Sequence, residues 1–406
     1  MEQTSQRAGV YVSQPTGYKA FVPKSLPPDP PLAIDDELLD LLSRADQAIG
    51  RLDGSTEALP NPDLFVMMYV RKEAVLSSQI EGTQASLADV LELEAKILDP
   101  QMPTDVGEVI NYVNALNYGI ERLHTLPLSL RLICEIHAKL MEGTRGQERN
   151  PGEFRRSQNW IGPQGCTLNT ARFVPPAPED MKQALGGWET FLHDDRRIPL
   201  LLKVGLAHAQ LETIHPFLDG NGRIGRLMIT FLLCERSALK RPLLYLSHFF
   251  KLNRTEYYDR LQAVRDKGDW EGWMRFFLTG VASVANEATD VARRIVALRE
   301  TQRLIIQESF GRSTADGLHL HEKLFAHPFL SIQLAQQLTG KEFKATNRMI
   351  GQLAQVGILR EVSGRSRKRV FLHESYFRMF EDTEFASKDL VPSDEPEETL
   401  TTDRFL

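Results

Sequence analysis

The chain has 406 residues, 42% of them hydrophobic and 25% charged, with a formal net charge of −6. That length can bury more than one core, so two or three domains are expected. No apolar run approaches the roughly 20 residues needed to span a bilayer, so no membrane span is expected, and mild acidity gives no reason for the whole chain to coat nucleic acid. The opening MEQTSQRAGVYV lacks the basic-then-apolar order of a signal peptide. Cys134, Cys166 and Cys234 are odd in number and far apart, without metal-ligand spacing. Free thiols and a cytoplasmic location follow as expectations.

Residues 1–34, with PKSLPPDPPL at 23–32, are proline-rich and predict an extended arm over the surface. Helical spacing begins after Asp35: Leu38, Leu39 and Leu42 mark one helix, Leu64, Met67, Met68, Arg71, Val75 and Ser78 a second, and Leu87, Val90, Leu91 and Ile97 a third. Further helices are expected within 106–146, 179–194 and 199–214. Between them, EFRRSQNWIGPQGCTLNTARFVPPAPED at 153–180 mixes glycine, proline and β-branched residues and reads as a short hairpin or flap ending at Pro175 and Pro176. Ile224, Leu227, Met228, Phe231 and Leu232 recur at helical spacing, which predicts a buried helix. Helices continue to about 309, and GRSTADG at 311–317 marks a boundary. Over 318–380, two short helices and a hairpin tipped by GRSRK have the layout of a winged helix. The stretch 381–406, with SDEPEETLTTD, reads as an acidic tail.

HPFLDGNGRIGR, His215 to Arg226, joins two of these helices. GNGRIG satisfies the GxGxxG dinucleotide pattern, but the segment before it is helical, whereas that fingerprint follows a strand. A helix start carries unpaired N–H groups and the positive end of the dipole, and Gly220, Gly222 and Gly225 let that backbone approach a ligand closely. Arg223 and Arg226 supply forked donors for phosphate oxygens. Asp219 is a hard oxygen ligand of the kind that holds Mg²⁺, and His215 titrates near neutrality, as a general base requires. Any one of these residues is explained as well by a tight interhelical turn. Nothing structural asks for His, Asp, Asn and two Arg together.

The twelve residues resemble the Fic-domain signature HPFx(D/E)GNGRxxR, supported by GEFRRSQNWIG, FVPPAP and YYDRLQ. The resemblance spans most of 30–380 and implies a mainly α fold: a helical region at 35–115, a Fic helical core at 116–309 with a short β-hairpin flap, then the winged helix. It implies transfer of AMP from ATP to a Ser, Thr or Tyr hydroxyl of a target protein. His215 would then be the base and Asp219 the Mg²⁺ ligand; Gly220, Asn221, Gly222, Arg223 and Gly225 would line the phosphate site, and Arg226 would take the γ-phosphate. Ala171, Arg172, Phe173 and Val174 would align the target by strand addition, and Tyr257 and Tyr258 match positions near the adenosine. Relatives commonly form dimers, so a homodimer is expected. Other Fic-fold enzymes transfer phosphate, UMP or phosphocholine; the phosphorylating toxins typically carry lysine where this chain has Gly222.

Glu81 ends a predicted helix that Gly82 stops, so its carboxylate faces the negative end of a dipole, which either a cation compensates or an exposed glutamate simply tolerates. Ser77 to Gly82 also resembles the family's inhibitory motif (S/T)xxxE(G/N). That implies pairing of Glu81 with Arg226 in place of the γ-phosphate, and in some relatives the same glutamate supports removal of AMP. A different class of function rests on Lys344, Asn347, Arg348, Arg365, Arg367, Lys368 and Arg369, which can place cations on DNA, although a winged helix also serves as a protein-interaction module.

Overall fold

A computed structural model describes residues 7–57, 62–95, 105–143, 148–163, 165–364 and 368–381. The first elements depart from expectation. Strands β1 (Gly9–Ser13) and β2 (Lys19–Pro23) pair antiparallel, with Tyr11 opposite Phe21. Part of the arm expected to be merely extended is therefore a hairpin. It holds because Ala20 and Phe21 bury fully against the helices behind them, which a lone two-stranded ribbon could not provide.

Helices α1 (Asp36–Glu57), α2 (Pro62–Ile80), α3 (Leu87–Glu94), α4 (Val106–Arg122) and α5 (Leu130–Leu140) follow. Ser86 starts α3 with a capping box, its hydroxyl accepting from the Asp89 N–H while the Asp89 carboxylate accepts from the Ser86 N–H. The loop to α6 (Pro178–Leu192) contains the flap. Among its described residues there is no regular strand, only the bridge between Ile161 and Phe173, because Pro163, Pro175 and Pro176 cannot donate to a ladder. Helix α7 (Leu200–Ile214) is buried on every side from Leu201 onward, and α8 (Asn221–Glu235) from Ile224 to Leu233. These two form the centre of the main core, and the turn between them is the signature loop.

Helices α9 (Ser247–Leu252) and α10 (Arg254–Lys267) close the far side of α7, and the long α11 (Trp270–Ser309) lies along α1. The C-terminal unit runs α12 (Thr314–Leu324), β3 (Phe329–Ser331), α13 (Ile332–Thr339), α14 (Phe343–Gln355), β4 (Arg360–Glu361), β5 (Val370–Leu372) and α15 (Glu374–Glu381), with sheet order β3-β5-β4. A second core of Leu320, Leu324, Leu330, Met349, Ile350, Leu353 and Phe371 also takes in Ile306 and Phe310 from the end of α11. Conversely, Tyr376, Phe377 and Phe380 of α15 join the main core, where the Phe380 ring meets Tyr69 at 5.5 Å. The unit is thus docked at both ends and is not tethered by a linker. Ile97, Arg365, Arg367 and the tail beyond Glu381 lie outside the described residues. Among those described, no helix is long and apolar enough to cross a membrane.

Candidate active site

The loop is shaped before any ligand is considered. His215 ends α7 at φ 50°, ψ 61°, and Gly220 precedes α8 at φ 76°. A histidine in the left-handed region is strained by about 1–3 kcal/mol, so the surroundings must impose it. Arg155 does so: it is buried and donates to the carbonyls of His215 (3.0 Å), Ser157 (3.2 Å) and Pro176 (2.5 Å). Asn159 donates to the carbonyls of both His215 and Phe217. The Asn221 side chain clamps Phe217 from the other side, accepting from its N–H and donating to its carbonyl, each at 2.8 Å. Asn221 is buried and its amide is spent inside the loop, so its side chain shapes the loop and is not free for a ligand.

The His137 ring stacks on Phe217 at 3.8 Å. Its Nδ1 accepts the Gly152 N–H at 2.8 Å, so Nε2 carries the proton and donates to the Asp219 carbonyl at 3.0 Å. Burial holds this ring neutral, with its pKa down at about 4.

His215 is also neutral, its pKa pushed down to about 3 by burial and then by the charges of Arg265 and Arg155. Its Nδ1 lies 3.4 Å from the Glu212 carbonyl, which can only accept, so Nδ1 is the protonated nitrogen. The lone pair of Nε2 is left for a proton from a reacting group.

The three glycines have three different reasons. Gly220 provides the left-handed turn. A Cβ on Gly222 would stand 2.2 Å from Oε1 of Glu81 and 3.0 Å from Nη1 of Arg226, so this glycine lets a carboxylate reach the first turn of α8. A Cβ on Gly225 would stand 2.1 Å from Oε1 of Glu212. Gly225 therefore makes room for a protein side chain; the expectation that it opens the backbone to a ligand is corrected.

Arg226, buried, donates from Nε to the Ser77 hydroxyl (2.8 Å) and from Nη2 to the Ser77 carbonyl (2.9 Å) and to Glu81 Oε1 (2.7 Å). Burial opposes ionisation of Glu81, but the Arg226 guanidinium overrides it and holds the carboxyl below its usual range. The cation that compensates this glutamate at a helix C-terminus is Arg226. Gly82, at φ 96°, turns the chain away just after it.

Asp219 accepts from the Gly220 N–H at 2.6 Å and lies 3.5 Å from the exposed Arg149 and 3.6 Å from Arg223. Arg223 also faces Glu108 at 3.4 Å. No cluster of three metal-ligating side chains occurs among the described residues. Mg²⁺ held against a polyphosphate needs only one or two carboxylates, the phosphates and water, and Asp219 at the loop surface suits that.

The flap's expected docking residues divide. Arg172 is exposed and Ala171 half-buried, whereas Phe173 and Val174 are buried. The Phe173 N–H and carbonyl pair with Ile161, and the Val174 carbonyl accepts from Phe21 of β2 at 2.9 Å. The Arg265 guanidinium covers the Phe173 ring at 3.9 Å. Tyr257 is fully buried, its hydroxyl 2.9 Å from Nε2 of His208, and so belongs to the core; Tyr258, half-buried, keeps an open face.

Sequence reasoning missed Arg155, Asn159, His137, Glu212 and Arg265. The first two lie within GEFRRSQNWIG, which signalled the region without assigning them a task. The other three carry no local signal, because each acts through residues at least one helix away.

Residues 39–121 match the model of the Fic/DOC family N-terminal region, and residues 127–233 that of the Fic/DOC family. Protein adenylyltransferase Fic of Aedes aegypti is 31% identical over 239 residues, covering 56% of this chain and 44% of that protein. The protein of the same name from Culex quinquefasciatus is 30% identical over 239 residues, with the same coverage of 56% and 44%. The chain thus spans less than half the length of these relatives. Its fold resembles the solved structure of a Fic family protein from Desulfovibrio desulfuricans G20, with a TM-score of 0.55 at 19% identity over 84% of this chain and 97% of that one. Between residues 39 and 233, this chain carries the N-terminal region of the Fic/DOC family followed by a Fic domain.

Proposed function

We propose that the chain is a protein adenylyltransferase that moves AMP from ATP to a Ser, Thr or Tyr hydroxyl of a target protein, with Glu81 as its built-in inhibitor. The observation that carries this reading is the Glu81 carboxylate resting on Gly222 and Arg226, an anion already seated where a helix start and a buried guanidinium converge. In the active state the triphosphate takes this place, with the γ-phosphate on Arg226 and the α- and β-phosphates along the backbone of 220–223. Nε2 of His215 accepts the hydroxyl proton as the oxygen attacks the α-phosphorus; the bond to the β-phosphate oxygen breaks and pyrophosphate leaves. Asp219 would hold Mg²⁺, which when bound neutralises phosphate charge. The exposed edge of the flap at Arg172 would receive the target segment by strand addition.

Glu81→Gly, incubated with ATP labelled on the α-phosphate, is expected to increase protein labelling strongly over the natural chain, with mass spectrometry showing an AMP adduct. Equal labelling removes the inhibitory role; an unlabelled phosphate adduct from ATP, or a UMP or phosphocholine adduct formed when the corresponding donor is supplied instead of ATP, replaces the reaction. Loss of AMP from a modified target only while Glu81 is present would favour the reverse reaction as the resting activity.

A second reading concerns the C-terminal unit. Its helix, strand, two helices and two-stranded wing follow the winged-helix order. Helix α14 exposes Lys344 and Arg348 and contains no acidic residue. Duplex DNA is the partner this face suits. Binding in a gel shift should weaken steeply between two salt concentrations; no binding at either assigns the face elsewhere.

A further inference from the structure

Glu212 is left without a task by the proposed reaction. It lies on α7 one turn before His215, is 7% exposed, and its Oε1 has no hydrogen-bond partner among the described residues. That oxygen is pressed against the backbone of Gly225, directly behind the phosphate cradle. A buried, unbonded carboxylate is tolerated only beside compensating cations.

The groups that face it can be named element by element. Helix α8 presents Arg226, α10 presents Arg265, Tyr257 and Tyr258, the end of α2 presents Glu81, and α7 itself carries His208 and His215. Both histidines are neutral and the tyrosines are protonated. The charge on Glu212 is therefore supported by Arg226 and Arg265 alone and opposed by Glu81. Burial dominates and raises its pKa to about 7, despite Arg226.

A second buried carboxyl, Glu73, also sits near Arg226 and is likewise raised to about 7 by burial. Its Oε1 accepts from the hydroxyls of Tyr112 (3.0 Å) and Ser247 (2.5 Å), which stabilise its ionised form. Of the two, Glu212 is the carboxyl whose oxygen lies against Gly225 in α8, so it is the one nearer to negative charge added at the start of that helix.

We infer that Glu212 takes up one proton from solvent when a polyphosphate settles on Arg226, so that nucleotide binding at this cradle is coupled to protonation. The inference rests on the proposed reading only in seating nucleotide phosphate at Arg226. Exchanging the single charge of Glu81 for a more highly charged phosphate both occupies the guanidinium and adds repulsion, and the proton restores the local balance. Gly225 fits the same account, because any side chain there would push the carboxyl out of this position.

The test is calorimetry on the Glu81→Gly protein, titrated with a non-hydrolysable ATP analogue and excess Mg²⁺ in buffers of different ionisation enthalpy. The observed enthalpy should vary with the buffer in the sense of proton uptake, and affinity should fall by up to about tenfold per pH unit above neutrality. Adding Glu212→Gln should abolish most of the dependence, while Glu73→Gln should preserve it. Binding without buffer dependence in Glu81→Gly, or undiminished dependence after Glu212→Gln, overturns the inference. Absence of binding in every variant would instead overturn the nucleotide reading. If Glu212→Gln does not fold, infrared difference spectra of Glu81→Gly with and without the analogue decide: a new carboxylic-acid C=O band supports uptake at a buried carboxyl, and its absence overturns it.

Discussion

The signature loop and the flap lie side by side, yet they are held by different means. The loop is closed partly from within, where Asn221 ties back to Phe217 and Gly220 turns the chain, and partly by its immediate neighbours, Arg155 and Asn159 of the 153–180 segment and His137 of α5, which bond its carbonyls. Among the described residues the flap has one β-bridge and side-chain bonds from Gln158 to the Pro175 carbonyl and from Trp160 to the Cys166 carbonyl, and it also draws support from afar. Phe21 of the N-terminal hairpin bonds the Val174 carbonyl, Tyr18 reaches Gln158 at 3.3 Å, and Arg265 of α10 covers Phe173. A reacting group must be preorganised within tenths of an ångström, whereas a docking edge needs only to present free main chain. The difference teaches that the loop is fixed by bonds to its own carbonyls from adjacent residues, whereas the flap also leans on the N-terminal hairpin and on α10.

Four experiments sharpen or break that contrast. The largest effect belongs to His215→Ala in the Glu81→Gly background, where transfer should fall by about 10²–10⁴ while binding of the ATP analogue is unchanged; persistent transfer would mean another base. Next is Phe21→Ala, which removes a fully buried ring at a cost of up to about 3–5 kcal/mol. Hydrogen exchange should then quicken at 161–174 and not at α7 or α8. Equal loosening of both would show that the N-terminal hairpin supports the loop as much as the flap.

The third is a pH effect. The Glu212 carboxyl is raised from 4.5 to about 7, so between those values the folded protein keeps a proton that the unfolded chain has released. This contribution to stability is full below about pH 4.5 and is lost as pH rises through 7. Glu212→Gln should therefore gain in melting temperature relative to the natural chain at pH 8 compared with pH 5; parallel curves would place the charge elsewhere. The smallest effect is Tyr18→Phe, which deletes one half-buried hydrogen bond and should cost no more than about 1 kcal/mol, read at the flap by the same exchange measurement.

Much of this was legible from the residues alone. Helical spacing found α8, α7 was expected as a helix, and the resemblance to the inhibitory motif paired Glu81 with Arg226. Three features were not legible. The N-terminal hairpin looked like a plain arm because its burial depends on a surface supplied by distant helices. Gly225 was read as a ligand-facing glycine because a sequence shows that a Cβ is absent, not what fills the space. Asn221 was placed on the phosphate because its bonds to Phe217 need the folded turn.

By itself, the order of residues determined which groups meet within a turn or two: His215, Asp219, the glycines and the arginines share one loop because short spacing leaves them no alternative. Only the tertiary structure decided which charges meet across the core, bonding Glu81 to Arg226 across 145 residues of chain and bringing Glu212 of the neighbouring helix under the influence of the same guanidinium. The reason is physical: a carboxylate's proton affinity depends on burial and on cations a few ångströms away, and both are properties of packing, which spacing along the chain does not encode.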